Sequence, residues 1–455
     1  MSKFSGKRLQ KIKKWQQQLV DKQLLPNTQI ILWRNGEWSY DESTGVRNSN
    51  GDPVGKDTIF RLYSMTKPIV SVALMQLYEE GKFLLSDPVF LYLGDAWKKS
   101  NMRVYASGDA KNYKTVPCTK NINIKHLLTH TSGLSYGFDA KGVMNKVDEI
   151  YYAEGTISLR SIKFKEEQET NLASFCDRLA KAPLMFQPGQ HYNYGFNTDV
   201  CGRIVEVLSG MSLDQYLQEN IFKPLDMIDT GFWVDDDKIN RFVGAWMPAD
   251  AAFSMSAPPS PNAKKGLLDI SAIDGGANPG GQYCAHRKHP ENRRLSGGGG
   301  LVGTAMDYAK FCEMLMLGGK SPNGHRIISS KTLEWMVTNH LEKNGELVHL
   351  DAMVVPGYTE TNAEGVGFGL GFSVSCNPAL SKQIDSKGSY RWAGAASTQF
   401  FCDPSENMFC VMMTSLRFRN DFLLPLPPLL KQVVFAAIDD DSTERKRIHN
   451  FRANL

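Results

Sequence analysis

No run of apolar residues in this 455-residue chain approaches the ~18 that a membrane-spanning helix needs, so no span is expected. Net charge is equally scarce: the formal balance is +4, with both signs interspersed along the chain. So small a surplus gives no field for nucleic acid or an anionic membrane surface. Cys-x-x-Cys pairs are absent, and the eight cysteines (118, 176, 201, 284, 312, 376, 402 and 410) are scattered. Scattered cysteines read as buried free thiols, which argues against a disulfide framework and structural zinc and for a cytoplasmic protein. No apolar stretch follows the basic N-terminal residues Lys3, Lys7, Arg8, Lys11, Lys13 and Lys14. Leu9, Ile12, Trp15 and Leu19 recur there at near-helical spacing, so a folded amphipathic helix is expected rather than a signal peptide; a membrane-surface helix is the alternative. What the chain has in quantity is core: 42% apolar and 10% aromatic residues exclude disorder. The length suggests two or three domains.

Residues 28–34 are β-rich and are followed by Asn35-Gly36 and a second such run over 37–40, the strongest short hairpin signal. A third strand is expected over 58–62, leading into a helix from Ser64 to Glu80 that carries Pro68 in its first turn and Gly81 as its stop. Apolar residues cover most of that helix's circumference, which predicts central burial. Helical segments follow at 124–128, 171–181 and 199–209, then a proline- and glycine-rich connection over 230–300. Helices return at 305–317 and 330–340. Strands are expected at 368–375, 398–402 and 409–413, before a last helix near 430–438. Strands at both ends around a helical middle imply one sheet built from the first and last segments.

Three clusters carry chemistry. In Ser64-Met65-Thr66-Lys67 the serine and lysine stand three residues apart at a helix start, hence on one face. A serine hydroxyl needs a base to become a nucleophile, and a desolvated lysine beside it can share or relay the proton. The helix N-terminus offers free N–H groups to a developing oxyanion. The second cluster is Pro188-Gly189-Gln190-His191-Tyr192-Asn193-Tyr194-Gly195-Phe196, where a tyrosine held against an ammonium can serve as a phenolate base; aromatic packing at a helix start is the alternative. The third is Arg391-Trp392-Ala393-Gly394-Ala395, small residues at a strand that let a substrate approach a backbone N–H; a glycine bulge is the alternative.

Taken in this order, the clusters resemble the serine β-lactamase-like family, which includes class C β-lactamases, DD-peptidases and the family VIII carboxylesterases. The resemblance extends to His126-Leu127-Leu128-Thr129-His130-Thr131-Ser132-Gly133-Leu134, to Pro224-Leu225-Asp226-Met227 and to Ser296-Gly297-Gly298-Gly299-Gly300-Leu301-Val302-Gly303. It implies a mixed α/β fold, an antiparallel sheet flanked by helices with an inserted helical lobe. The sheet lobe would comprise 1–84 and 300–455 and the helical lobe 85–229, with 230–299 a loop-rich connection at the active-site rim. The resemblance makes Ser64 the acylated nucleophile, Lys67 its partner, Tyr194 the base, and the N–H groups of Ser64 and Ala395 the oxyanion hole. It implies no cofactor and no metal.

Two departures narrow the chemistry. Lactamases and peptidases carry Tyr-x-Asn, whose amide holds the substrate's amide side chain; here Phe196 stands at that position. Their Lys-Thr-Gly lysine pairs with the substrate carboxylate; here Trp392-Ala393-Gly394 replaces it. Arg391 is adjacent, but in an extended segment it faces the other way. Two lost anchors, at about 1.5–3 kcal/mol each, weaken a β-lactam or peptide substrate. An ester, with a more reactive carbonyl, needs them less. A small-molecule ester is therefore the expected substrate, and the tyrosine and tryptophan motifs look most like the family VIII esterases. An amide hydrolase for β-lactams or D-amino-acid peptides and a catalytically silent binding protein are the alternatives.

Other motifs are weaker. Gly133-Leu134-Ser135-Tyr136-Gly137 fits a nucleophile elbow but lacks the strand before it and the helix after it. Gly298 to Gly303 fits a dinucleotide loop without the preceding strand. Cys284-Ala285-His286-Arg287-Lys288-His289 has too few ligands and too much positive charge for a metal. His126 and His130 read as structural, and the basic tail at 444–452 as a solvated end.

Overall fold

Asn35 and Gly36 take φ values of 52° and 85°, the doubly left-handed pair of a type I′ turn. They close the expected hairpin between β1 (Asn27–Arg34) and β2 (Glu37–Gly45). The computed structural model describes residues 3–136, 145–153, 171–249, 266–271, 294–354, 364–421 and 423–439. Five more strands come from the C-terminal third: β3 (Val366–Phe368), β4 (Ser373–Ser375), β5 (Tyr390–Ala393), β6 (Gln399–Asp403) and β7 (Met408–Met413). Together they form one seven-stranded antiparallel sheet in the order β3-β4-β5-β6-β7-β1-β2. Met412 of β7 lies opposite Ile30 of β1, so strands from the two ends of the chain meet inside one sheet.

β1 is buried along its whole length, yet the period of two still sorts its side chains. Ile31 and Trp33 join Phe400, Phe409 and Val411 in the core on one face. That core contains α2 (Thr66–Glu79), α3 (Asn197–Ser209) and α4 (Ala305–Met316). Ile30 and Leu32 turn the other way, with Phe401, Cys410 and Met412, against α1 (Gly6–Asp21) and α5 (Leu426–Phe435). The N-terminal amphipathic pattern is thereby spent on the sheet: Ile12 and Leu19 of α1 are buried against it. Among the described residues, no helix is long and apolar enough to cross a membrane.

Three expectations change. Ser64 lies in a 3₁₀ turn, Tyr63–Met65, and α2 begins only at Thr66. The 58–62 strand shrinks to Ile59–Arg61 and pairs with Val302–Thr304 in its own ribbon, outside the main sheet. The single strand expected over 368–375 is split into β3 and β4 by Gly369 and Gly371. Gly371 has a φ of 99°, and a Cβ there would come within 2.2 Å of Ser71 Oγ on α2.

Behind β5, on the face covered by α5, Lys431 donates to Asp385, and its Nζ also donates to Gln383 Oε1 at 2.6 Å. Burial and the nearby Arg391 guanidinium pull the Lys431 ammonium down to about 8 against the opposing pull of Asp385. The pair ties the last helix to the turn leading into β5. Lys431→Met removes the cation that donates to a buried carboxylate and should lower stability by about 3–5 kcal/mol. Lys431→Met combined with Asp385→Leu should recover most of it. Urea denaturation of the two variants and the native chain reads both numbers.

Candidate active site

Tyr63 precedes Ser64 with a φ of 45°, a left-handed conformation that a bulky side chain adopts at a cost of about 1–3 kcal/mol. The turn is held from several sides. Leu62 N–H donates to Leu301 O at 3.0 Å, Leu301 N–H donates to Thr66 Oγ1 at 3.1 Å, and Tyr308 Oη donates to Met65 O at 3.0 Å. The result is a half-buried Ser64 hydroxyl ahead of a helix whose first turn is buried.

Lys67 follows on the same face, 2% exposed, with Nζ 3.2 Å from Ser64 Oγ and 2.7 Å from the carbonyl of Gly298, to which it donates. Its ammonium also lies 4.4 Å from the ring centre of Tyr194 and 5.1 Å from that of Tyr136. Tyr194 arrives from the loop before α3 and places Oη 2.6 Å from Ser64 Oγ. That loop is stitched to the 130–135 segment. Asn193 N–H donates to His130 O at 2.9 Å, Asn193 Nδ2 donates to Leu134 O at 3.0 Å, and Phe196 N–H donates to Ser135 O at 3.2 Å. Gly195 permits this approach, since a Cβ there would come within 2.4 Å of Leu134 O. The hydroxyl, amine and phenol singled out in the sequence therefore converge.

β5 supplies the opposite wall. Gly394 has no room for a side chain, because a Cβ would come within 2.3 Å of both Leu62 O and Thr398 Oγ1. This closeness sets the end of β5 against the Ser64 turn. Among the described residues, neither Ser64 N–H nor Ala395 N–H donates to a backbone carbonyl. Trp392 is half-buried, its ring 5.6 Å from Tyr194 and 5.3 Å from Phe368. Phe196 is 1% exposed and stacks on Tyr136 at 4.5 Å, and Tyr136 in turn stacks on Tyr194 at 5.4 Å. Arg391 faces away, in the electrostatic reach of Asp385 and Lys431, and burial lowers its guanidinium. Neither position therefore offers an amide or an ammonium: Phe196 is a buried ring, and Trp392 brings an indole N–H.

The structure adds residues that the motifs did not assign. Tyr136 lies within the nucleophile-elbow pattern, and Gly298 within the dinucleotide-loop pattern. Ser135 itself is buried, 2.5 Å from Asp148 Oδ1, with Asn145 Nδ2 donating to it at 3.1 Å. His130 packs 5.0 Å from the Tyr194 ring, with its Nδ1 2.9 Å from Asn197 Nδ2. Burial and the Lys67 charge hold its imidazole well below the usual histidine range, so it stays neutral. His126 completes a capping box with Asn123: its Nδ1 accepts from Asn123 N–H at 3.2 Å. Burial, then Lys125 and Lys120, lower it to about 4. Cys284–His289 and the 444–452 tail lie outside the described residues, as does much of the 230–299 connection. Among the described residues, no group of histidine, cysteine, aspartate or glutamate side chains is arranged to hold a metal.

A sheet with flanking helices, and a serine, lysine and tyrosine meeting beside one strand end, define the serine β-lactamase type of protein. The family described as Beta-lactamase matches residues 12–434, and the chain belongs to it. Esterase EstB of Burkholderia gladioli is 28% identical over 409 residues, covering 89% of this chain and 90% of that one. Lovastatin esterase of Penicillium rubens is 25% identical over 387 residues, 82% and 84% of the two chains. Among solved structures, EstCE1, described as a hydrolase with promiscuous acyltransferase activity, superposes with a TM-score of 0.67 at 24% identity. That match covers 94% of this chain and 98% of that one. The two relatives are named as esterases, and the solved structure shares the fold.

A histidine buried neutral in the fold protonates more readily once unfolded, so it subtracts stability as pH falls through its unfolded range. His126→Gln keeps an acceptor at the capping-box position but cannot titrate. Between pH 6.5 and about 4, the variant should gain on the native chain by up to ~1.4 kcal/mol per pH unit in urea denaturation. A constant gap from pH 7 to 4.5 would contradict a neutral buried His126.

Proposed function

We propose that the chain is a serine carboxylesterase that works through an acyl-enzyme on Ser64. The observation that carries this reading is the position of Ser64 Oγ, within 2.6 Å of Tyr194 Oη and 3.2 Å of Lys67 Nζ. In this reading Tyr194, as phenolate beside the Lys67 ammonium, takes the Ser64 proton as Oγ bonds to the ester carbonyl carbon. The carbonyl oxygen becomes an oxyanion held by the N–H groups of Ser64 and Ala395. The tetrahedral species collapses, the C–O bond to the alcohol breaks, and Tyr194 returns the proton to the leaving alkoxide. Water then repeats the sequence, its proton going to Tyr194 and its oxygen to the acyl carbon, which frees Ser64. An acceptor alcohol in place of water gives acyl transfer, the activity named in the description of EstCE1.

The wall favours esters. Trp392 gives ring contact area, and Phe196 backs Tyr136 from within the core; neither offers an amide or a charge, which suits an ester with an apolar acyl or alcohol part. The relatives named as esterases support the same choice. The cleft would lie between a sheet lobe (1–84 and 300–455) and a helical lobe (85–229), with the 230–299 connection at its rim. A small-molecule ester would be the partner, and the cytoplasm the location.

Turnover of p-nitrophenyl esters beside a chromogenic cephalosporin tests the proposal. Ser64→Ala should lower ester kcat/KM by about 10³-fold or more, and Tyr194→Phe by about 10²–10⁴-fold, with the cephalosporin the poorer substrate throughout. Ester cleavage that survives Ser64→Ala in folded protein removes the nucleophile and with it the proposal.

A further inference from the structure

Gly298 is a contact point with two sides. On one, its carbonyl accepts from Lys67 Nζ at 2.7 Å. On the other lies Asp199, the third residue of α3 and completely buried. Asp199 Oδ1 accepts from Ser296 Oγ at 2.7 Å. Its Oδ2 has no hydrogen-bond partner among the described residues and sits so near Gly298 that a Cβ there would come within 2.3 Å of it. Only glycine allows this approach. A buried carboxylate with one oxygen unsatisfied is expensive unless charge of the other sign lies close. The first turn of α3 supplies part of that charge. On the same helix Arg203 is engaged by Glu206 at 2.9 Å. Across Gly298 stands the Lys67 ammonium.

We propose that Asp199 is a positioning residue for Lys67: its carboxylate braces the 296–298 segment so that the Gly298 carbonyl meets Nζ, and its charge favours the ammonium form. The inference rests on the hydrolase reading of Ser64, Lys67 and Tyr194. Facing Lys67 are Ser64, the Tyr194 and Tyr136 rings and neutral His130. Facing Asp199 are Ser296, the Tyr136 hydroxyl beyond Gly298, and the Cys176 and Cys201 thiols. Burial first and the Asp199 charge second raise both thiols, so neither is a competing anion.

Removing a negative charge lowers the pKa of every titrating neighbour. The acidic limb of the rate profile, where the phenolate is protonated, and the alkaline limb, where the ammonium is lost, must therefore both move to lower pH. A role confined to bracing lowers the rate and moves neither. A fluorophosphonate probe reports this without a natural substrate, because Ser64 Oγ bonds to phosphorus as fluoride leaves. Its labelling rate at Ser64 would be measured from pH 5 to 10. Asp199→Asn should shift both limbs down by about one unit and lower the plateau about tenfold. Ser296→Ala, which keeps the charge, should lower the plateau less and leave the limbs in place. Folded Asp199→Asn with native limb positions overturns the proposal. If that variant melts early, Asp199→Glu serves instead: native limbs support the proposal and shifted limbs overturn it. A native chain that is not labelled at Ser64 overturns the hydrolase reading, and this inference with it, whereas labelled Ser64 with unmoved limbs overturns this inference alone.

Discussion

A lysine side chain that is 2% exposed must be paid for by its surroundings, and the hydrogen bond from Lys67 Nζ to the Gly298 carbonyl is where that begins. The bond spans 231 residues of sequence and joins the first helix of the core to the glycine run before Val302–Thr304. With the ammonium fixed there, its other contacts fall on Ser64 Oγ and the Tyr194 ring. Remove the carbonyl and a buried cation loses a primary acceptor; remove the cation and the phenol beside the serine loses the charge that favours its ionised form. The fold supports this contact from both ends. α2 is held by packing against α3, and the glycine run by Asp199, Thr198 and Phe232, each of which leaves no room for a Cβ.

That arrangement also accounts for rings at 196 and 392, where the family resemblance led to the expectation of an amide and an ammonium. Tyr194, Tyr136 and Phe196 form a stack at 5.4 and 4.5 Å, and Trp392 closes against Tyr194 and Phe368. An asparagine at 196 would break the stack under Tyr136, and a lysine at 392 would bring a second ammonium toward Lys67. The aromatic wall and the buried Lys67 ammonium thus belong together, and in the proposed reading they suit a neutral carbonyl substrate.

Much of this was legible before any coordinates, and the parts that were not share a physical reason. Ser64 and Lys67 could be read because residues three apart share a face both on an α-helix and through the 3₁₀ turn that leads into it. The hairpin at Asn35-Gly36 was legible because few residues tolerate two left-handed positions in a row. Tyr194 was legible only through the family resemblance, since a tyrosine before a helix usually just packs. The Gly298 carbonyl was not legible at all: every residue has a carbonyl, and its use is decided by contacts hundreds of residues away. Tyr136 was hidden inside a motif judged on its serine. The turn inside 368–375 is hidden because a glycine in an apolar run fits a strand bulge as well as a turn, and the length and pairing of 58–62 because a short strand does not announce its partner.

The central claim is that one hydroxyl, activated by the amine three residues on and by a phenol from a distant segment, carries the acyl group. Rapid quenching of the native chain with a p-nitrophenyl ester, followed by proteolysis and mass spectrometry, tests it most directly. The account predicts an added acyl mass on the peptide spanning 62–82, localised to Ser64, that forms and decays within turnover. Acyl mass on another residue during turnover, or turnover with no acylated peptide under any quench, would contradict it.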